Sequence, residues 1–334
     1  MINTLFHHLK LIVFLFTCNI VFTLNDSFAT ELSKTFTSFS QETTSDLLEK
    51  KSFFLSYRNH RRDILWPYPN ALEKSFDWGI DTNIHSGSVN PDEFSGVSLS
   101  TLIGKKFSSE LYSQINVGFH NLENKTAKSK QTITNFQFST QYVITSTLSA
   151  NFRYTHDYVY YEMMLPKGVT DYLEADSLYT TFTYKWSKRI KSKFNANWKL
   201  LSDSNTKKQY SFDTLYGVSP GWPWIWFGLG MEHLSFTKDL DGYWTPLDFL
   251  MIGPRLEAAF TLYKKLSITI AFNANRYHDR DLDTWGNGYY GTVKLQYGKR
   301  DELHYELLYT KIETSQNSTK WNSDQVALQM AIFL

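Results

Sequence analysis

Two pairs of a histidine and a carboxylate are the residues of this chain whose chemistry would matter most if they met. His156 stands next to Asp157, and His304 stands two places before Glu306. A histidine hydrogen-bonded to a carboxylate is the general-base half of a hydrolytic site. Spacing separates the two pairs. In an extended strand successive side chains point to opposite faces, so His156 and Asp157 are expected back to back, with His156 toward lipid or interface. His304 and Glu306 share a face, yet no nucleophile motif sets a serine beside them. They are expected as a hydrogen-bonded pair in a polar interior. The sequence holds no GxSxG, HExxH, P-loop or dinucleotide fingerprint. Its single cysteine, Cys18, falls in an apolar N-terminal stretch and offers neither a disulfide nor a reactive thiol downstream. These residues imply a protein that is not an enzyme and works without a metal or organic cofactor.

What must position such side chains is a set of strands. From Ser75 onward apolar and polar residues alternate in stretches of about ten to fifteen, the period-2 signature of a sheet with two unlike faces. Leu266, Ile268, Ile270, Phe272 and Ala274 share one face, and Ser267, Thr269, Asn273 and Asn275 the other. The repeated tetrapeptide at 194–197 and 272–275 is this strand pattern used twice. Carried through, the alternation predicts an all-β chain, a transmembrane antiparallel up-and-down β-barrel of about 14 strands, within about 12 to 16, over residues 74–334. Connectors are expected to alternate. Short ones fall at 107–109, 188–191, 264–265 and 299–301. Longer polar ones fall at 162–175, 238–245, 279–287 and 314–323, and the short turns would face the periplasm. Trp186, Trp222, Trp224, Tyr263 and Tyr297 lie near the short-turn ends. Tyr158, Tyr243, Trp244, Trp285, Tyr289 and Trp321 lie near the others, as two interfacial girdles would require.

Composition narrows the setting. Aromatic residues make up 17% of the chain while the mean hydropathy is −0.37, which excludes a helical membrane protein but suits a barrel with lipid on alternate residues. With 34 Lys and Arg against 33 Asp and Glu, no basic excess points to nucleic acid. Lys10, the apolar stretch from Leu11 to Leu24, and Ser27 and Ala29 read as a signal peptide over 1–29 with cleavage after Ala29. Residues 30–73 do not follow the barrel pattern. They are expected as a periplasmic tail or plug in preference to a strand through Phe53–Tyr57, because one added strand would disturb an even count. Val326, Leu328, Met330, Ile332 and Leu334 alternate to the terminus with Phe333 next to last. This resembles the C-terminal insertion signal of outer-membrane proteins, although a final phenylalanine is more typical. The resemblance implies a bacterial outer-membrane location, with outer-membrane lipid and the barrel-assembly machinery as partners.

The polar face gathers the candidate site. Its titratable members are Asp77, Asp81, His120, Arg153, Asp157, Lys185, Lys193, Lys199, Glu232, Arg255, Glu257, Lys294, His304 and Glu306. Charges inside a barrel wall must be paired or wet. Either they line a water-filled lumen, or they neutralise one another as a filled polar core. At about 14 strands the interior is too wide for side chains alone, which favours the lumen.

One motif rises above strand grammar: Gly242, Tyr243, Trp244, Thr245 and Pro246, then Phe249. It is similar to a pattern of glycine, two aromatics, Ser/Thr, proline and a later aromatic in the YaiO-type outer-membrane β-barrel family and in the related C-terminal barrel of the outer-membrane component of bacterial cellulose synthase. The resemblance runs loosely from about Tyr184 to the terminus. It implies a barrel serving passage of an exopolysaccharide, with a periplasmic protein as a further partner and no catalytic residues. The cellulose synthase component has helical repeats ahead of its barrel. Here about 45 residues precede the first expected strand, too few for two such repeats of about 34 residues. The functions implied are a channel or export barrel for a hydrophilic solute or exopolysaccharide, or a plugged, non-conducting barrel that binds another envelope component. An outer-membrane hydrolase is a third class, resting on His120 and His304.

Overall fold

The computed structural model describes residues 34–44, 48–58, 76–89, 92–159, 167–240, 245–298, 303–316 and 319–333. The first strands are β1 (Lys34–Thr44), β2 (Leu48–Arg58), β3 (Phe76–Val89), β4 (Asp92–Lys106), β5 (Leu111–Asn124), β6 (Ser129–Val143) and β7 (Leu148–Tyr158). A short helix, α1 (Lys167–Thr170), follows. The wall continues with β8 (Glu174–Lys185), β9 (Ile190–Leu201), β10 (Thr206–Ser219), β11 (Trp224–Phe236) and β12 (Phe249–Tyr263). It ends with β13 (Leu266–Asp279), β14 (Thr284–Gly298), β15 (His304–Gln316) and β16 (Thr319–Phe333). Each strand pairs antiparallel with its sequence neighbours, and β1 pairs with β16, so the sheet closes on itself. Closure leaves no unpaired ladder, the condition for a sheet to sit in hydrocarbon. The described residues thus form an all-β closed barrel of sixteen strands, in place of about 14.

The two faces follow from the alternation. Ile84, Leu99, Phe119, Trp198, Leu229 and Leu328 are exposed on the outside, although all are large and apolar. Ladder partners share a face, so the apolar band runs from strand to strand: Ile115 faces Phe138, and Leu178 faces Trp198. A continuous exposed band of this kind is stable against lipid and not against water. The strands are 11 to 15 residues long, more than the roughly 9 to 11 that a tilted strand needs to cross the bilayer core, so their ends project beyond it.

Projection explains where the expected connectors fail. Residues 279–287 and 314–323 were expected as loops, but β13 to β16 extend through most of them. Polarity there reflects strand ends standing in water. Among the described connections, the long ones at the end opposite the 107–110 turn join β7 to β8 and β11 to β12.

The reading of 30–73 as tail or plug is corrected, since residues 34–44 and 48–58 are wall strands. Their alternation is blurred. Outward positions of β1 include Thr37, Gln41 and Thr43, and those of β2 include Glu49 and Lys51, while Phe36 and Phe54 turn inward and meet edge to face at 5.9 Å. Two added strands also preserve the even count that argued against one. The expected signal peptide and residues 59–75 lie outside the described residues.

Candidate functional site

Ladder pairing turns Asp81, His120, Arg153, Asp157, Lys185, Lys193 and Lys199 away from the apolar band. It does the same for Glu232, Arg255, Glu257, Lys294, His304 and Glu306. Asp77 has the same strand parity as Asp81, and its backbone alone is described. The inward face also carries Arg58, His85, Lys191 and Asp213, which the sequence reading did not single out. Arg58 was hidden in the supposed tail. Lys191 was assigned to a turn, although it stands two residues before Lys193 and on the same face.

On one side of the barrel the polar groups lock neighbouring strands together. Arg58 grips Asp81 with two nitrogens, at 2.8 and 3.0 Å, and Asn116 donates to the same carboxylate at 2.9 Å. His120 Nδ1 lies 2.5 Å from Asp157 Oδ1, and its Nε2 lies 3.4 Å from His85 Nε2. His85 fits because Gly96 faces it: a Cβ on Gly96 would collide with His85 Nε2. His120 is fully buried, with the Tyr158 ring 5.0 Å away, so nothing in the lumen reaches it. This histidine and carboxylate join β5 to β7, the histidine sealed and the carboxylate reaching a cavity lined also by Arg58, Asp81 and Arg153. His156 does not share the pair; it turns outward to Asp176 and Glu174, at 3.1 and 3.5 Å.

On the other side Arg255 bridges β10 and β13. Its Nε lies 3.1 Å from Asp213 Oδ1, and Nη1 donates to Asn275. Glu232 accepts from Gln209 at 2.6 Å. Lower in the barrel Glu306 gathers His304 at 2.9 Å, Gln296 at 2.6 Å and Lys294 at 3.7 Å. Lys191 binds Glu257 at 2.9 Å and stands 4.5 Å over the Trp226 ring.

These last groups line a cavity of about 750 Å³ at the end that carries the 220–223 turn. Trp222, Trp224 and Trp226 stand at alternate positions along its wall, with Lys191, Glu257, Lys294, Gln296 and His304 around them. Pairing of Trp224 with the buried Ala259, and a bond from Trp222 Nε1 to Thr261 at 3.1 Å, direct this row inward. Trp222 and Trp224 therefore line the mouth of the lumen and do not belong to the expected girdle. Apolar ring faces among charged and amide groups suit a molecule with both C–H and O–H surfaces. Among the described residues no three His, Cys, Asp or Glu side chains converge to hold a metal ion.

At the opposite end residues 167–173, ahead of β8, pack against the inward face of the wall. Val169 on α1 is fully buried among Val89, Phe94, Leu122, Ile133 and Tyr158. Val159 and Leu173 join Leu201, Leu234, Phe236, Phe249 and Tyr277. Tyr172 fastens the segment, bonding Ser129 Oγ at 2.7 Å. At this end, then, residues 167–173 pack against inward side chains of the wall.

The motif residues Gly242, Tyr243 and Trp244 lie outside the described residues. Thr245 is buried and ties its loop, donating to Asp239 at 3.0 Å and accepting from the Leu240 amide at 3.0 Å. Pro246 accepts from the Phe236 amide at 2.8 Å, and Phe249 turns inward onto Tyr277 at 4.9 Å. At the C-terminus Val326 and Leu328 join the exterior band, and β16 carries Met330, Ile332 and Phe333 against β1. Leu334 lies outside the described residues.

No family model matches the chain, and no curated protein matches it. Among solved structures, a bacterial polysaccharide outer membrane secretin superposes with a TM-score of 0.68, at 10% identity, over 91% of this chain and 99% of that one. Acinetobacter baumannii OccAB4 gives 0.44 at 8% identity, and Pseudomonas aeruginosa OpdQ 0.44 at 10%, each over 91% of this chain and 99% of its own. At such identities the first likeness speaks of fold. Closed wall, even strand count, apolar exterior and polar interior together define the class: a bacterial outer-membrane β-barrel.

Proposed function

We propose that this barrel is an outer-membrane conduit for a saccharide, receiving it through the tryptophan-lined mouth. The observation that carries the reading is the row of Trp222, Trp224 and Trp226 facing a cavity edged by Lys191, Glu257 and Lys294. Aromatic faces hold the apolar side of a sugar ring, and the charged and amide groups replace the water on its hydroxyls. Sixteen strands leave room for an aqueous path. In the usual orientation the turn end would face the periplasm, which makes this mouth the periplasmic one. The likeness to YaiO-type barrels and to the outer-membrane barrel of cellulose synthase supports export, with a separate periplasmic protein delivering the chain. Insertion by the barrel-assembly machinery belongs to the same reading.

The test is current block. Refolded protein in planar bilayers should conduct, soluble oligosaccharides added on the tryptophan side should interrupt the current, and Trp224→Ala with Trp226→Ala should shorten the interruptions. Block that persists unchanged in the double variant would refute the role of this mouth. A second reading, a closed barrel that binds an envelope component, has one observation in its favour, the β7–β8 segment buried at the far end. A silent bilayer together with one stoichiometric crosslinked partner would favour it.

A further inference from the structure

The short turns at one end of the barrel are one-sided in charge. Among the described residues, those at 105–110, 144–147, 186–189, 220–223 and 264–265 carry Lys105, Lys106, Lys188, Arg189, Lys264 and Lys265 against one carboxylate, Glu110. Glu110 is engaged within its own turn, where it accepts from Ser109 Oγ. Toward the loop end cations stand beside acids instead: Lys51 by Glu49 at 2.8 Å, Arg280 by Asp248 at 3.0 Å and Lys311 by Glu313 at 3.9 Å.

Placement shows what the excess faces. Lys105 stands two residues beyond the exposed Ile103 on the outward side of β4, and its Nζ lies 5.2 Å over the Phe107 ring. Lys264 Nζ lies 5.1 Å over the Tyr263 ring, and Arg189 Nη1 donates to the Tyr216 hydroxyl at 3.2 Å. Phe107, Tyr216 and Tyr263 are all exposed. Each of the three cations is thus held to an aromatic side chain at the rim of the apolar band, the depth at which such residues meet lipid headgroups. Among the described residues none of the three has a carboxylate partner.

Spacing separates a lipid from a protein as the anion. The three sites belong to the β4–β5, β8–β9 and β12–β13 turns, so they recur every fourth strand, about 19 Å of wall apart at the usual strand spacing. The turns between them, 144–147 and 220–223, carry no charge. A compact acidic protein docked at one place would reach one such site. Cations set outward around the wall are matched by a partner that surrounds the wall, as a lipid leaflet does.

We propose that the turn end of this barrel binds anionic phospholipid, with Lys105, Arg189 and Lys264 each holding the phosphate of a lipid whose headgroup has a net negative charge. The lipid chains lie along the apolar band, and the cationic N–H groups donate to phosphate oxygens. In the orientation given above this is the periplasmic leaflet. The site is on the outer wall and does not depend on what passes through the lumen.

The test mixes detergent-solubilised protein with phosphatidylglycerol or phosphatidylcholine bearing the same brominated chains and reads quenching of tryptophan fluorescence. Trp186, exposed in the turn that carries Arg189, is a near reporter. Phosphatidylglycerol should be preferred by about two- to fivefold, and added salt should remove the preference. Lys105→Gln, Arg189→Gln and Lys264→Gln together should abolish it. Lys130→Gln, Lys208→Gln and Arg276→Gln, which remove as many exposed cations toward the loop end, should leave it in place. All six positions are exposed and the strands close through main-chain bonds, so both variants should fold, as migration before heating would show. No preference in the parent protein, or an equal loss in the loop-end variant, would overturn the assignment. An acidic periplasmic protein that crosslinks at position 188 in the parent and not in the turn-end variant, with the lipid preference absent, would overturn it in favour of a protein partner.

Discussion

Gly230, on β11, occupies a place from which a side chain would collide with Arg255. A Cβ there would overlap both Arg255 Nε and Asp213 Oδ1, so the missing side chain is what lets the guanidinium cross β11 to its carboxylate. Both groups are largely removed from water, and a buried charge that loses its partner is more costly than the pair is stabilising. Gly230→Ala should therefore lower the urea stability of the folded barrel by about 1 to 3 kcal/mol, the usual cost of overpacking. In an Arg255→Ser, Asp213→Ser background the same substitution should cost much less. Equal costs in the two backgrounds would show that the glycine serves something other than the ion pair.

The His120–Asp157 bond crosses from β5 to β7, and β6 pairs with both without supplying either group. A double-mutant cycle on His120→Phe and Asp157→Asn should give a coupling of about 0.5 to 3 kcal/mol, as for residues in one network. The cycle on His156 and Asp157, neighbours in sequence, should give none. Coupling in the second cycle and none in the first would contradict the strand parity described above.

Strand parity is also the measure of what could be read in advance. Wherever lipid contacts one face, as along Leu266 to Ala274, selection for apolar alternate residues leaves a pattern that needs no tertiary knowledge. Inward placement of residues such as Lys199 and Glu306 follows from the same pattern. It fails at β1 and β2, where Glu49 and Lys51 stand outside and Phe36 and Phe54 inside, so the period is present in space but not in polarity. Partner choice was illegible for a different reason. His120 and Asp157 are 37 residues apart, and Asp213 and Arg255 are 42 apart, joined by a register that a single sequence does not specify.

Near the β11–β12 and β13–β14 connections, Asp248 accepts from Arg280 Nη1 at 3.0 Å and lies 3.1 Å from His233 Nε2. Partial desolvation would raise this carboxyl, but the Arg280 and His233 hydrogen bonds outweigh it and hold it below the usual aspartate value. A carboxyl lowered on folding stabilises the folded form above its unfolded value, and the contribution is lost as pH falls through the lowered one. The clasp should thus be intact at neutral pH and release only below about pH 4, the ordinary aspartate value. A nitroxide on the exposed Leu247 should stay ordered at pH 5 and become mobile under stronger acid, with release at higher pH in Arg280→Gln. Mobility that sets in well above pH 5 in the parent protein would remove Asp248 from the account.

The β7–β8 segment makes a prediction about gating that is separate from selectivity. Val169 has no exposed surface and touches the inward side chains Leu122 and Ile133, so its docking rests on apolar contact together with the Tyr172 hydroxyl. Val169→Asp would bury an unpaired carboxylate among them, which costs more than loss of the contact itself, and the cheaper outcome is for the segment to leave the mouth. The strands close through main-chain bonds that do not involve α1, so the barrel should still migrate as a compact species before heating. Single-channel conductance should then rise above that of the parent, and Val169→Ala should rise less, because a small apolar residue keeps part of the contact. A conductance unchanged in Val169→Asp, with the segment shown by protease cleavage to have left the mouth, would mean that the passage is restricted elsewhere, with the tryptophan mouth at the other end the next place to look.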